Sequence, residues 1–231
     1  LPESFILPFP KYVETIQEYQ EKYSKQIQIR LGVEVGMYSP VVSYFEKNIR
    51  TYPFDFVIAS NHSLEGQDIA FSDILQEKTK QEAQALYFGS LLENIQKFSD
   101  FSVVGHLDFI TRYGGAKFRG VNLKENWDCI QSSLTHLVQN GKGIEINTSG
   151  FRYQEERFYP LPEIIKEYYA SRLYADFYDE DRTINSLRNA CSDMEKYILP
   201  YFHQFADLEY FYAEESETWN FSDPVHYGLS L

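Results

Sequence analysis

The stretch Phe54-Asp55-Phe56-Val57-Ile58-Ala59-Ser60-Asn61-His62 decides how this chain is read. Its apolar centre has strand length and strand composition, and it closes on a polar Asn-His pair. The same pattern recurs on either side. Toward the N-terminus, Ile27-Gln28-Ile29-Arg30-Leu31 alternates and runs into Gly32-Val33-Glu34-Val35-Gly36, a strand ending in a carboxylate between glycines. Toward the C-terminus, Phe101-Ser102-Val103-Val104-Gly105 closes on His106, and Ile144-Glu145-Ile146-Asn147 forms a fourth strand.

Helical segments separate these strands. Tyr12, Ile16, Tyr19 and Tyr23 recur at helical spacing, and Val41–Asn48 is a short helix. Thr79–Phe98 is a long amphipathic helix with Thr79 as its cap and Glu82 at capping-box spacing. Leu123–Asn140 is terminated by Gly141, and Leu161–Tyr169 has Pro162 near its start. Strand–helix alternation through at least four units predicts an α/β architecture with parallel strands and outer helices, as a barrel or an open sheet. There is no internal repeat and no low-complexity linker.

In a parallel sheet all C-terminal strand ends lie along one edge, so Glu34, His62 and His106 are expected to converge, where barrel active sites sit. A carboxylate with two imidazoles suits a divalent ion such as Zn, Mn or Fe. Such an ion lowers the pKa of bound water and neutralises phosphoryl charge. Arg112, six residues after His106, is a fork for phosphate or carboxylate on the same loop layer. Each residue alone has an ordinary alternative: a hydrogen-bonded His, a solvated Glu, a surface salt bridge for Arg112. Their placement on successive strand ends is what favours a site. Of the remaining histidines, His136 falls mid-helix and His203 in a connection.

Composition narrows the class. The chain has 231 residues, 34 acidic and 21 basic, for a net charge of −13, and is 43% hydrophobic. That length suits one large domain or two small ones, and the apolar fraction excludes disorder. The acidic balance argues against a nucleic-acid partner. No apolar run approaches the ~18–20 residues of a bilayer span, so no membrane partner is expected. Two cysteines, Cys129 and Cys191, fit a reducing, cytoplasmic setting, and Leu1–Pro10 lacks the features of a cleaved signal. Charge is uneven: residues 1–159 carry 16 basic and 20 acidic side chains, a net of −4, and residues 160–231 carry 5 and 14, a net of −9.

Four ordered motifs carry a resemblance: Leu31–Gly36, Phe54–His62, Gly105–Gly114 and Glu145-Ile146-Asn147-Thr148-Ser149-Gly150. Together they resemble histidinol-phosphatases of the PHP (polymerase and histidinol phosphatase) superfamily, clearly over residues 1–169 and less so over the divergent, aromatic and acidic 170–231. The resemblance implies a single PHP-like domain over 1–231, a distorted barrel of seven β/α units, and up to three divalent metals at the strand ends. It implies Glu34, His62 and His106 as metal ligands and catalytic residues, and Arg112 as a phosphate-binding residue. It gives Arg152 as the nearest match to a second phosphate-binding Arg. The implied activity is hydrolysis of histidinol phosphate to histidinol and phosphate, with a metal-activated hydroxide attacking phosphorus.

The chain also departs from that pattern. It has no His-x-His. The family's closing strand, which bears an Asp and a His, corresponds to Leu173–Tyr178, where Asp176 stands for the Asp and Tyr178 replaces the His. The tail Phe221-Ser222-Asp223-Pro224-Val225-His226-Tyr227-Gly228 echoes an early family motif, with Asp223 and His226 as further metal candidates. Joining Leu231 to Leu1 restores family order, which suggests a permuted or rearranged barrel. With these ligands, fewer than three metals are expected. A second reading is therefore a catalytically impaired PHP scaffold with at most weak metal or phosphate binding. A third is an interaction module using the aromatic, acidic C-terminal third.

Overall fold

The computed structural model describes residues 7–113, 115–151 and 157–176. The chain divides into two compact units, Leu1–Leu161 and Pro162–Leu231. In the first unit the expected alternation is present. Helix α1 (Phe9–Lys22) is followed by β1 (Gly32–Gly36), α2 (Val42–Thr51), β2 (Phe56–Ser60) and a small hairpin of β3 (Ser63–Leu64) and β4 (Gln67–Asp68). Then come α3 (Lys80–Lys97), β5 (Val103–Val104), α4 (Leu123–Gln139) and β6 (Gly143–Ile144). Of the second unit, the described part is α5 (Pro162–Asp176).

Strands β1, β2, β5 and β6 form one parallel sheet in that order. This is the expected α/β architecture. Among the described residues the sheet is open, and the seven-unit ring of a barrel is not traced by them. The hairpin was not expected. Its two-residue turn, Glu65 at φ +50° and Gly66 at φ +78°, is the type I′ geometry that matches strand twist.

Alternation along β2 buries Val57 and Ala59, and the apolar stripe of α3 supplies Tyr87, Phe88, Leu91 and Ile95. From α4, Ile130, Leu134 and Leu137 are fully buried. Both helices begin on local caps. The Thr79–Glu82 capping box is complete in both directions, and Asn122 accepts the Glu125 N–H. A cap of this kind contributes about 1 kcal/mol. Helix α4 stops where Gly141 takes a φ of +64°. His136 lies on the inner face of α4, with Nε2 3.1 Å from the Ile95 carbonyl of α3.

Polar side chains tie this packing to the strand ends. Asn61, 1% exposed, accepts from Asn94 Nδ2 of α3 at 2.9 Å and donates to Ser90 Oγ at 2.9 Å. The residue between β2 and His62 is thereby fixed to a helix. Leu173–Asp176, expected near a closing strand, is instead the last turn of α5. The helical run that starts at Pro162 simply continues through it, with no Gly or Pro to stop it.

Candidate metal centre

Glu34 is not at the end of its strand. It lies mid-strand in β1, in register with Ile58 of β2. Pleating sends Val35 into the core and Glu34 to the opposite face. From there Oε1 accepts from Ser60 Oγ at 2.7 Å. His62 stands two residues past β2, where the hairpin leaves, and its carbonyl accepts the Ile69 N–H at 3.0 Å. His106 stands two residues past β5, with a φ of +22° that side-chain-bearing residues rarely adopt. Its backbone N–H donates to Glu145 Oε2 at 2.9 Å.

Gly105 is required by this arrangement. A Cβ there would lie 2.3 Å from Ser60 Oγ and 2.8 Å from Ile58 Cγ2. The backbone before His106 passes too close to Ser60 for any side chain.

The structure brings Glu34, His62 and His106 together. His106 Nε2 lies 3.2 Å from Glu34 Oε1, His62 Nε2 lies 3.4 Å from the same oxygen, and the two Nε2 atoms are 3.3 Å apart. Zinc binds N and O ligands at about 2.0–2.1 Å, so one face of a tetrahedron around it has edges of roughly 3.3–3.4 Å. The observed triangle has that size, and its fourth vertex is left for water or substrate. The donor set, two imidazoles and a carboxylate, is that of catalytic rather than thiolate-rich structural sites. Among the described residues these three form a group with metal-ligand geometry.

The electrostatics agree with the geometry. Hydrogen bonds from His106 and His62, the two largest effects, hold the Glu34 carboxyl far below the ordinary carboxylate range, with a further contribution from Ser60. Partial burial opposes them and is outweighed. Glu34 is therefore a fixed negative charge. The Phe109 ring packs against both imidazoles, with centroids 4.8 Å from His62 and 4.6 Å from His106.

Arg112 ends a turn of 3-10 helix, Phe109–Arg112. Its guanidinium lies over the Phe109 ring at 5.1 Å and the Tyr159 ring at 4.9 Å, and Nη2 donates to Ser149 Oγ. Phe109 thus contacts both imidazoles and the Arg112 guanidinium. Of the other expected site residues, Arg152, Asp223 and His226 lie outside the described residues, and Asp176 is the last residue of α5 in the second unit.

One functional-site residue escaped sequence reasoning. Arg157 Nη1 donates to Asp108 Oδ2 at 2.9 Å, and Nη2 donates to Thr111 Oγ1. Asp108 Oδ2 also accepts the Leu161 N–H at 3.2 Å. The guanidinium thereby holds the loop between His106 and Arg112. Residues 157–161 are brought there by an antiparallel bridge, Asn147 to Tyr159. The one available signal was an acidic residue two positions after His106 within an otherwise apolar run, which needs a buried counter-charge.

A parallel α/β domain with a Glu-His-His centre at the C-terminal side of its sheet defines a class of metal-site proteins. Residues 5–149, more than half of the chain, match the PHP domain family, and the chain belongs to that family. It is 32% identical over 157 residues to the histidinol-phosphatase of Lactococcus lactis, covering 67% of this chain and 58% of the relative. A Schizosaccharomyces pombe relative, named as a probable histidinol-phosphatase, is 29% identical over 175 residues, covering 71% of this chain and 57% of its own. The crystal structure of the Lactococcus lactis histidinol phosphate phosphatase, complexed with zinc, L-histidinol and phosphate, superposes with a TM-score of 0.65 at 31% identity. That match covers 72% of this chain and 64% of the crystal chain. The chain therefore spans less than two thirds of the length of these relatives. No helix among the described residues is long and apolar enough to cross a membrane.

Proposed function

We propose that this chain carries the metal and phosphate-binding core of a metal-dependent phosphomonoesterase acting on histidinol phosphate. The observation that carries the reading is the Glu34–His62–His106 triangle, whose edges match a tetrahedral zinc face. Glu34, His62 and His106 would hold the ion. A divalent ion held there supplies a Lewis acid for a phosphoryl oxygen and lowers the pKa of bound water. Glu34 supplies the charge that attracts the ion, and Ser60 orients its carboxylate. Arg112, held over the Phe109 and Tyr159 rings, presents a planar fork to the phosphate. That local positive charge matters, because an anionic ester must approach a chain of net charge −13. The relatives' names and the zinc, histidinol and phosphate of the Lactococcus lactis complex support this substrate and zinc as the ion. Arg152 remains the proposed second phosphate-binding residue, and Asp176, Asp223 and His226 the proposed further ligands.

The second reading is a PHP scaffold with impaired catalysis. What favours it is that the described residues supply one three-ligand group, where the family resemblance implies up to three metals. One experiment separates the two. Zinc content and histidinol-phosphate hydrolysis are measured for the chain and for Glu34→Ala and His106→Ala. Hydrolysis that depends on both residues supports the phosphatase. Zinc binding without hydrolysis supports the impaired scaffold. Absence of zinc binding removes the phosphatase reading and leaves the impaired scaffold.

A further inference from the structure

Three side chains connect the backbone of His106 to the guanidinium of Arg112 without a break. The His106 N–H donates to Glu145 Oε2 at 2.9 Å, and Asn147 Nδ2 donates to Glu145 Oε1 at 3.2 Å. The Ser149 backbone N–H donates to Asn147 Oδ1 at 3.0 Å, and the Ser149 hydroxyl donates to the same oxygen. Arg112 Nη2 then donates to Ser149 Oγ. Glu145 and Asn147 alternate along the extended segment after β6, which places them on one side of it, and Ser149 lies in the 3-10 turn Thr148–Phe151 that follows.

The direction of every bond follows from the first. Carboxylate oxygens only accept. Asn147 must therefore turn its NH2 toward Glu145 and its carbonyl toward Ser149. The Ser149 proton is then committed to Asn147, which leaves an oxygen lone pair facing Arg112. His106 has a separate need for this support: its φ of +22° is not one its own backbone favours.

We propose that Glu145 is the positioning residue of the centre, fixing His106 as a metal ligand and, through Asn147 and Ser149, Arg112 as an anion fork. The inference rests on the reading that this site takes a divalent ion and a phosphate ester. It adds that the two subsites share one hydrogen-bonded support with Glu145 as its root.

Three variants test it. Glu145→Gln keeps the size but places an NH2 against either the His106 N–H or the Asn147 NH2, donor against donor. It is expected to weaken zinc binding about 10–100-fold, the usual cost of losing a residue that orients a ligand. It also weakens binding of inorganic phosphate to the zinc-loaded protein. Asn147→Ala and Ser149→Ala cut only the arm toward Arg112. Each is expected to weaken phosphate about fivefold, the worth of one hydrogen bond, with zinc affinity changed less than about twofold. In metal-free protein the His106 amide exchanges faster in Glu145→Gln and at the wild-type rate in Asn147→Ala. Unchanged zinc affinity and unchanged His106 exchange in Glu145→Gln overturn the proposal. So does an Asn147→Ala chain that loses zinc as severely as Glu145→Gln. A wild-type chain that binds neither zinc nor phosphate overturns the functional reading instead, while the exchange measurement still decides whether Glu145 holds His106. Should Glu145→Gln fail to fold, wild-type phosphate affinity in both Asn147→Ala and Ser149→Ala refutes the coupling to Arg112.

Discussion

Asp108 is completely buried, and Arg157, 49 residues further along the chain, donates to its Oδ2 from 2.9 Å away. Burial pushes the Asp108 carboxyl above its ordinary range, and the Arg157 charge pulls it part of the way back. A carboxyl raised in the folded state binds its proton more tightly there than in the unfolded chain. Stability therefore falls as pH rises from the unfolded pKa through the raised folded one. Arg157→Met removes the counter-charge, and it should cost about 3–5 kcal/mol at neutral pH. The loss should shrink near pH 4, where a neutral Asp108 no longer needs a partner. Urea denaturation at both pH values checks this, and a penalty that is the same or larger in acid contradicts it.

Gly105 and Ser60 should behave as a coupled pair. Gly105→Ala drives a methyl against Ser60 Oγ and Ile58 Cγ2, and overpacking of this kind costs about 1–3 kcal/mol. Ser60→Ala removes the closer obstacle but leaves Ile58. The double variant should be less destabilised than the sum of the singles, by at least about 0.5 kcal/mol in a double-mutant cycle. Strict additivity would show that Gly105 and Ser60 do not meet in the folded chain.

Glu34 should show no titration step in the range where ordinary glutamates titrate, about pH 4.3. Donors from His106 and His62, ahead of Ser60, keep it ionised well into acid. Its contribution to stability is present above the ordinary carboxylate pKa and is lost only as pH falls through the depressed value. The Glu34 side-chain carbonyl carbon, followed by NMR in metal-free protein, should stay flat from pH 7 to about pH 4. His106→Ala should bring the step back toward the ordinary range. A full transition near pH 4 in the wild-type chain would count against the triangle as drawn.

Arg112→Lys should separate anion binding from metal binding. Lysine keeps the charge but loses the planar fork and its contacts with the Phe109 and Tyr159 rings. Under the proposed function, KM for the phosphate ester should rise about tenfold, near the lower end of the roughly 1.5–3 kcal/mol typical of hydrogen bonds to charged groups. Zinc affinity should not change. A tenfold loss of zinc together with KM would place Arg112 in the support of the metal ligands instead.

The secondary structure that local chemistry controls was legible. Thr79 and Glu82 announced the start of α3, Gly141 the end of α4, and the strand cores announced β1, β2, β5 and β6. Boundaries shifted where a distant residue competed for backbone groups. The alternating run from Ile27 predicted a strand, yet β1 begins at Gly32. Asp55 Oδ2 takes the Leu31 N–H at 2.7 Å, so that donor is withheld from the sheet ladder, and Ile27 stays 61% exposed. The hairpin after His62 was missed because two-residue strands are too short to show alternation.

For the centre, the sequence by itself determined which side chains were available. Strand order places His62 and His106 just past the C-terminal ends of β2 and β5, which are neighbours in the parallel sheet, and puts Glu34 on the adjoining β1. Membership of the PHP domain family was likewise readable from ordered motifs. The tertiary structure alone decided that Glu34 reaches the imidazoles from mid-strand, that the three donor atoms stand 3.2–3.4 Å apart, and that Arg157 neutralises Asp108. Periodicity and caps depend on neighbours within a turn or two of backbone. A contact across 49 or 72 residues depends on how every intervening element packs, and no local pattern encodes that sum.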